Sequence, residues 1–226
     1  MPHAFKILSA EDFFTMTKDA SVIEQDRYGA KVFHLSDGTF LKIFRVKRLL
    51  SSAVFYPYSL RFVRHSEALS NSGIPTLLPL ALYRLPEKGK SAVHYEPIPG
   101  KALRQVFEDN GDSGLMFPLG QFVAGLHEKG IYFRSLHLGN IILTPEGRLG
   151  LIDIADMRIY KSRLGCRQRI RNLMHLCRIP QDRILLNKLG WQNFCGGYFS
   201  AFPVESECAR KLNARVQELL VPDRHV

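Results

Sequence analysis

The chain of 226 residues carries 31 Lys and Arg against 21 Asp and Glu, a formal net charge of +10, and 46% of its residues are hydrophobic. That is enough for one large domain or two small lobes of ordinary globular composition, and no apolar run approaches the roughly 20 residues of a membrane helix. The start, Met1-Pro2-His3-Ala4-Phe5-Lys6 followed by Glu11 and Asp12, lacks the apolar centre of a secretory signal, so a soluble interior protein is expected.

Ser9-Ala10-Glu11-Asp12 has the form of a capping box and predicts a short helix over residues 10–18. Residues 21–25 and 30–35 read as strands around Asp26-Arg27-Tyr28-Gly29. Ser36-Asp37-Gly38 turns into a third strand, residues 39–44, where Leu41 and Ile43 share one face and Lys42 takes the other. Residues 59–72 set Leu60, Val63 and Leu69 at helical spacing, with Glu67 inside the run and Gly73 and Pro75 ending it. Two more strands, residues 77–83 and 91–95, flank Pro86-Glu87-Lys88-Gly89. Tyr95-Glu96-Pro97-Ile98-Pro99-Gly100 is then a stiff, extended connector, placing a lobe boundary between residues 1–96 and 97–226.

Beyond the connector the pattern turns helical, over residues 101–109 and then 115–129. The second run carries an apolar stripe of Leu115, Leu119, Phe122, Val123 and Leu126 and stops at Gly130. A loop, residues 133–140, leads to a buried strand (Ile141, Ile142, Leu143), a Pro-Glu-Gly turn, and a second apolar strand (149–152) that ends on Asp153. The Asn140 amide and the Asp153 carboxylate therefore meet at one rim of a hairpin, as two oxygen donors suited to a hard cation such as Mg²⁺. Residues 167–178, 181–189 and 205–220 read as helices. The segment around Trp191, Phe194, Tyr198 and Phe199 reads as an aromatic-rich connection.

Cys166, Cys177, Cys195 and Cys208 are widely spaced, so reduced, mostly buried thiols are expected rather than a zinc site or a disulfide framework. Residues 158–188 hold Arg158, Lys161, Arg163, Arg167, Arg169, Arg171, Arg178, Arg183 and Lys188 against a single acid, Asp182. Such a segment is either a solvated basic face or a surface for phosphates, on an anionic substrate or an acidic membrane leaflet. It has no interleaved aromatics, and nucleic acid is not the expected partner.

The order strand lysine, helix glutamate, connector, Asn and Asp resembles that of protein-kinase-like phosphotransferases, and Asp153-Ile154-Ala155 looks like their metal-binding Asp-Phe-Gly. The Leu136-His137-Leu138-Gly139-Asn140-Ile141-Ile142 run adds to that order, and Leu41-Lys42-Ile43-Phe44, Gly130-Ile131-Tyr132-Phe133 and Arg171-Asn172-Leu173 are similar to segments of small bacterial lipopolysaccharide core (heptose or Kdo) kinase-like proteins, including those called toluene-tolerance proteins. The resemblance implies a two-lobed α+β fold: a small antiparallel β lobe with one long helix, then a mainly helical lobe. It implies ATP and Mg²⁺ as cofactors and a sugar or lipid-linked sugar as acceptor. It also implies a cytoplasmic protein, peripheral at the inner membrane where residues 158–188 meet the leaflet.

By the same resemblance Lys42 reaches the ATP phosphates and Glu67 pairs with it. Glu96 and Ile98 lie in the hinge that meets adenine, Gly29 is what remains of a glycine-rich loop, and Asn140 and Asp153 bind the metal. No Ala-Pro-Glu follows Asp153, which argues against protein substrates, and Phe133 stands where the catalytic loop usually begins with histidine. Ser135 occupies the position of the catalytic Asp, and a serine hydroxyl cannot take a proton at neutral pH. His137 and Asp156 are the candidate substitutes. Two function classes follow: a sugar kinase that works without the usual Asp, or a pseudokinase that binds nucleotide without turning it over.

Overall fold

The computed structural model describes residues 4–45, 57–201 and 206–220. Met1-Pro2-His3, part of the start that lacks a secretory signal, and Glu205, the first residue of the last expected helix, lie outside them. The chain divides into two units, Met1–Ile98 and Pro99–Val226, so the division falls inside the Pro-rich connector.

The first unit is a sheet with a helix on either face. Its elements are β1 (Phe5–Ile7), α1 (Ala10–Thr17), β2 (Ser21–Asp26), β3 (Gly29–His34), β4 (Phe40–Arg45), α2 (Tyr58–Asn71), β5 (Leu78–Arg84) and β6 (Lys90–Glu96). The six strands run in the order β1-β5-β6-β4-β3-β2, antiparallel except for β1 beside β5. Ser9 starts α1 by accepting the Asp12 amide at 3.0 Å. Strand alternation sends Leu41 and Ile43 to a core with Leu35 and Ala92, closed by Phe13 and Met16 of α1. The opposite face carries Phe44 and Phe40, which pack with Tyr95 and with Phe62 of α2. β1 escapes sequence reading because three residues are too few to show a period.

The second unit contains β7 (Lys101–Ala102), α3 (Leu103–Asn110), α4 (Met116–Glu128), β8 (Ile131–Phe133), β9 (Ile141–Leu143), β10 (Leu149–Leu151), β11 (Met157–Ile159), α5 (Cys166–Leu176), α6 (Pro180–Lys188), α7 (Trp191–Ala201) and α8 (Ser206–Leu220). The helix expected from residue 101 begins later, because Lys101 and Ala102 pair with Leu143 and Ile142 to add a strand to the β9–β10 hairpin. Gly100 permits that approach: its φ is +131°, and a Cβ there would lie 2.2 Å from the Leu143 carbonyl oxygen. Gly130, with φ +72°, ends α4 as its pattern predicts, and the chain turns directly into β8.

The expected aromatic connection is a helix, α7. Trp191, Phe194 and Tyr198 recur at helical spacing and stack along one side. Gly196 and Gly197 hide that pattern, and packing explains why Gly197 is needed. A Cβ on Gly197 would sit 2.0 Å from the Phe117 carbonyl oxygen, and one on Gly120 would sit 2.1 Å from that of Phe194. α4 and α7 thus cross backbone to backbone, each glycine facing the other helix.

The expectation of four reduced thiols is corrected for two of them. Cys166 at the start of α5 and Cys208 on α8 form a disulfide across 42 residues of sequence, with Cα atoms 5.7 Å apart. Packing of α5 on α8 makes the pair, and sequence spacing carries no sign of it. Cys177 and Cys195 are free, and burial pushes both thiols up to about 12.

Candidate functional site

In the second unit the β9–β10 hairpin brings the two metal candidates together. Leu151 pairs with Ile141, and one step further the Ile152 amide donates to the Asn140 carbonyl at 3.0 Å, so Asp153 follows directly at the same rim. Asn140 is 8% exposed, and its Nδ2 donates to the Ser135 carbonyl at 3.0 Å, which leaves Oδ1 as an acceptor. Among the described residues Asp153 alone, apart from glycines, has positive φ, at 52° with ψ 44°. A non-glycine residue held in the left-handed region costs of order 1–3 kcal/mol and persists where the surroundings demand that orientation.

Two oxygen-bearing side chains are a sparse donor set, and no cluster of three or more His, Cys, Asp or Glu residues exists among the described residues. That fits Mg²⁺, which keeps several waters and takes one or two protein oxygens plus phosphate.

The loop between β8 and β9 is held from both sides. Asp182 of α6, fully buried, accepts Arg104 Nε at 2.6 Å and Nη2 at 3.2 Å, and also the Leu138 amide at 2.9 Å. Sequence reasoning gave Asp182 no role, although it is the lone acid in a basic segment. On the other side Asn172 of α5 donates from Nδ2 to the Phe133 carbonyl at 2.6 Å, and its Oδ1 faces the Phe133 amide at 3.4 Å.

Behind Asn172 lies buried His127, whose pKa is pushed down to about 3 by burial and by the Arg169 guanidinium. It is therefore neutral, donates from Nε2 to Asn172 Oδ1 at 3.1 Å, and accepts the Tyr198 hydroxyl at Nδ1 at 2.7 Å. Arg169, counted above in the basic segment, is buried and pairs with Glu128. It belongs to this network and to no surface.

Of the base candidates, His137 sits in the loop beside Asp182, Arg104 and Asp153, whose charges it feels. Burial lowers its pKa, and its buried Nδ1 has no hydrogen-bond partner. Asp156 is committed differently: it accepts Arg134 Nη1 at 3.4 Å in a half-exposed pair. Ser135 is half-buried in the loop.

In the first unit Lys42 is 6% exposed on interior strand β4, not at a solvated edge. Its ammonium lies 6.0 Å from the Phe44 ring centroid and 5.8 Å from that of Phe62 on α2, the helix that also carries Glu67. Gly29 closes a two-residue hairpin turn at φ +104°, where Asp26 accepts the Tyr28 amide at 2.8 Å and ion-pairs with Arg45. That turn is braced internally, with one amide already used. Glu96 is exposed at the end of β6 and Ile98 is half-buried in the connector.

No protein-family model matches the sequence, and no curated protein is similar to it. Among solved structures the chain is similar to a divergent kinase lacking the glycine-rich loop, which regulates membrane ultrastructure of the Toxoplasma parasitophorous vacuole. Identity is 16% over 81% of this chain and 61% of that one, with a TM-score of 0.41. The chain therefore spans less than two thirds of that structure's length. Its own element order, a mainly antiparallel sheet unit with one long helix and then a mainly helical unit with the loop and hairpin described, is α+β. Among the described residues no helix is long and apolar enough to cross a membrane.

Proposed function

We propose that the chain is a phosphotransferase that moves the terminal phosphoryl group of ATP onto a sugar hydroxyl, on a lipopolysaccharide inner-core acceptor. The observation that supports this reading is the rim of the β9–β10 hairpin, where the backbone sets buried Asn140 and left-handed Asp153 at the same end of the two strands. Mg²⁺ held there would neutralise charge on the phosphate oxygens. Phosphoryl transfer depends mainly on positioning and charge neutralisation, so loss of the loop Asp slows the reaction without forbidding it. His137, neutral because it is partly buried, takes the acceptor hydroxyl's proton in this reading. Lys42 supplies a phosphate-binding ammonium from the first unit, where Glu67 orients it. Glu96 and Ile98 lie in the adenine-binding connector and Gly29 in the phosphate-side turn. A cytoplasmic position at the inner membrane suits the lipid-linked acceptor.

A second reading, a nucleotide-binding pseudokinase, is favoured by Ser135, whose hydroxyl cannot serve as base. Both readings share one test. Thermal stability should rise with ATP and Mg²⁺ together, and Asp153→Ala should remove the metal-dependent part. No shift with any nucleoside triphosphate would overturn both.

A further inference from the structure

Beside the candidate loop lies a cluster of arginines that the preceding reading leaves unused. β11 pairs with β8 so that Arg158 is directly opposite Tyr132, and Arg134 stands in the turn just past the end of β8. The Tyr132 hydroxyl meets His175 Nε2 at 3.1 Å, which brings α5 against this face. On α5, Arg171 lies one turn before His175, and Arg178 follows just past the helix end.

The charges converge there: Tyr132 feels Arg171, Arg134 and Arg158, and His175 feels Arg134, Arg178 and Arg171. All four arginines are exposed, and Asp156 is the carboxylate paired with Arg134. Arg158, Arg171 and Arg178 make no ion pair among the described residues. Guanidinium groups kept unpaired on β11, on α5 and just past its end repel one another, and that arrangement suits an oxyanion that bridges them.

We propose that Arg134, Arg158, Arg171 and Arg178 form a subsite for a phosphate or carboxylate group carried by the acceptor, placed beside the Phe133–Asn140 loop by the Tyr132–His175 contact. The proposal deepens the sugar-kinase reading: the acceptor is an anionic, phosphorylated or acidic sugar, and Arg134 links the subsite to the loop residue Ser135. The remaining basic side chains of residues 158–188 are not needed for it.

The test is binding, so it does not depend on turnover. Inorganic phosphate is titrated into the full chain by calorimetry or amide NMR, with chloride holding ionic strength constant. Arg158→Ala and Arg171→Ala should each weaken phosphate binding about tenfold, the loss expected for one charge-assisted contact. Arg215→Ala, at an exposed position of α8 and paired with Glu218, should leave it unchanged. A parallel arm measures binding to vesicles of phosphatidylcholine with and without phosphatidylglycerol. Equal phosphate affinity in all three variants overturns the proposal. So does binding confined to anionic vesicles, which would make the cluster a leaflet contact instead. Circular dichroism of each exposed-arginine variant checks its folding, so that loss of binding is not confused with loss of structure. ATP-dependent stabilisation that survives these variants keeps the failure of this subsite distinct from failure of the kinase reading.

Discussion

Asn172 holds Phe133 at both ends of its backbone: Nδ2 donates to the carbonyl at 2.6 Å, and Oδ1 faces the amide at 3.4 Å. Phe133 is the first residue of the candidate loop, and both partners are buried. Asn172→Ala strips those groups, and His127 behind them, of their partner without admitting water. Each buried polar group left unsatisfied costs about 1–3 kcal/mol, so a loss of about 3 kcal/mol is expected by urea denaturation. A loss below about 1 kcal/mol would mean that the network is not carrying the loop.

The same network sets a pH dependence. His127 has a folded pKa of about 3 against an ordinary value of 6.5, because burial and Arg169 oppose its protonated form. The unfolded chain therefore binds the extra proton first, and stability from the neutral ring is complete above about pH 6.5 and falls as pH drops toward about 3. The slope for one proton is about 1.4 kcal/mol per pH unit. His94, His137 and His175 are lowered in the same direction, so the parent slope alone does not isolate His127. His127→Gln should lower stability at pH 7 yet flatten the dependence between pH 6 and 4 by about one proton's worth. An unchanged slope would place the titration elsewhere.

Two glycine substitutions separate packing from helix propensity. At Gly197 a Cβ meets the Phe117 backbone at 2.0 Å, so Gly197→Ala must spread α4 from α7, at an expected cost of about 1–3 kcal/mol or more. Gly125, also in α4, has nothing within 4 Å of the same atom. Gly125→Ala should therefore stabilise by about 0.5–1 kcal/mol, the helix preference of alanine over glycine. Thermal melts of the two variants should move in opposite directions.

Legibility followed sequence distance. The hairpin carrying Asn140 and Asp153 is readable because its strands, turn and end residues lie within 14 residues, between two apolar runs. Lys42 is readable as facing away from Leu41 and Ile43, since strand alternation is local. Its burial is not, because that depends on Phe62 across residues 46–56, which the sequence leaves without pattern. β8 and β11 are three residues each and show no period. α7 is obscured by Gly196 and Gly197, of which Gly197 is the one that lets it touch α4. Asn172 reaches Phe133 over 39 residues and Asp182 reaches Arg104 over 78, so the loop's supports have no local signature. Asp182 nonetheless left a trace: a single carboxylate among nine cations is costly to keep buried unless it is paired.

The residue that separates the two functional readings is Ser135. Its neighbour Asn140 bonds to its carbonyl, so the loop geometry does not depend on its side chain, and Ser135→Asp should fold. If His137 is the base, His137→Ala should lower ATP-dependent transfer by ~10²–10⁴ while Asp156→Asn, whose partner is the exposed Arg134, changes it little. The base must be unprotonated, and burial lowers the His137 pKa, so the rate should hold to mildly acidic pH and fall only below the ordinary histidine range. Ser135→Asp should then add little, and a new carboxylate near Asp153 would compete for the cation. Turnover is measured as phosphate transfer from ATP to purified core lipopolysaccharide by mass spectrometry, for the parent and the three variants. A silent parent beside an active Ser135→Asp protein would reject His137 as the base and establish the chain as a pseudokinase that lacks one carboxylate.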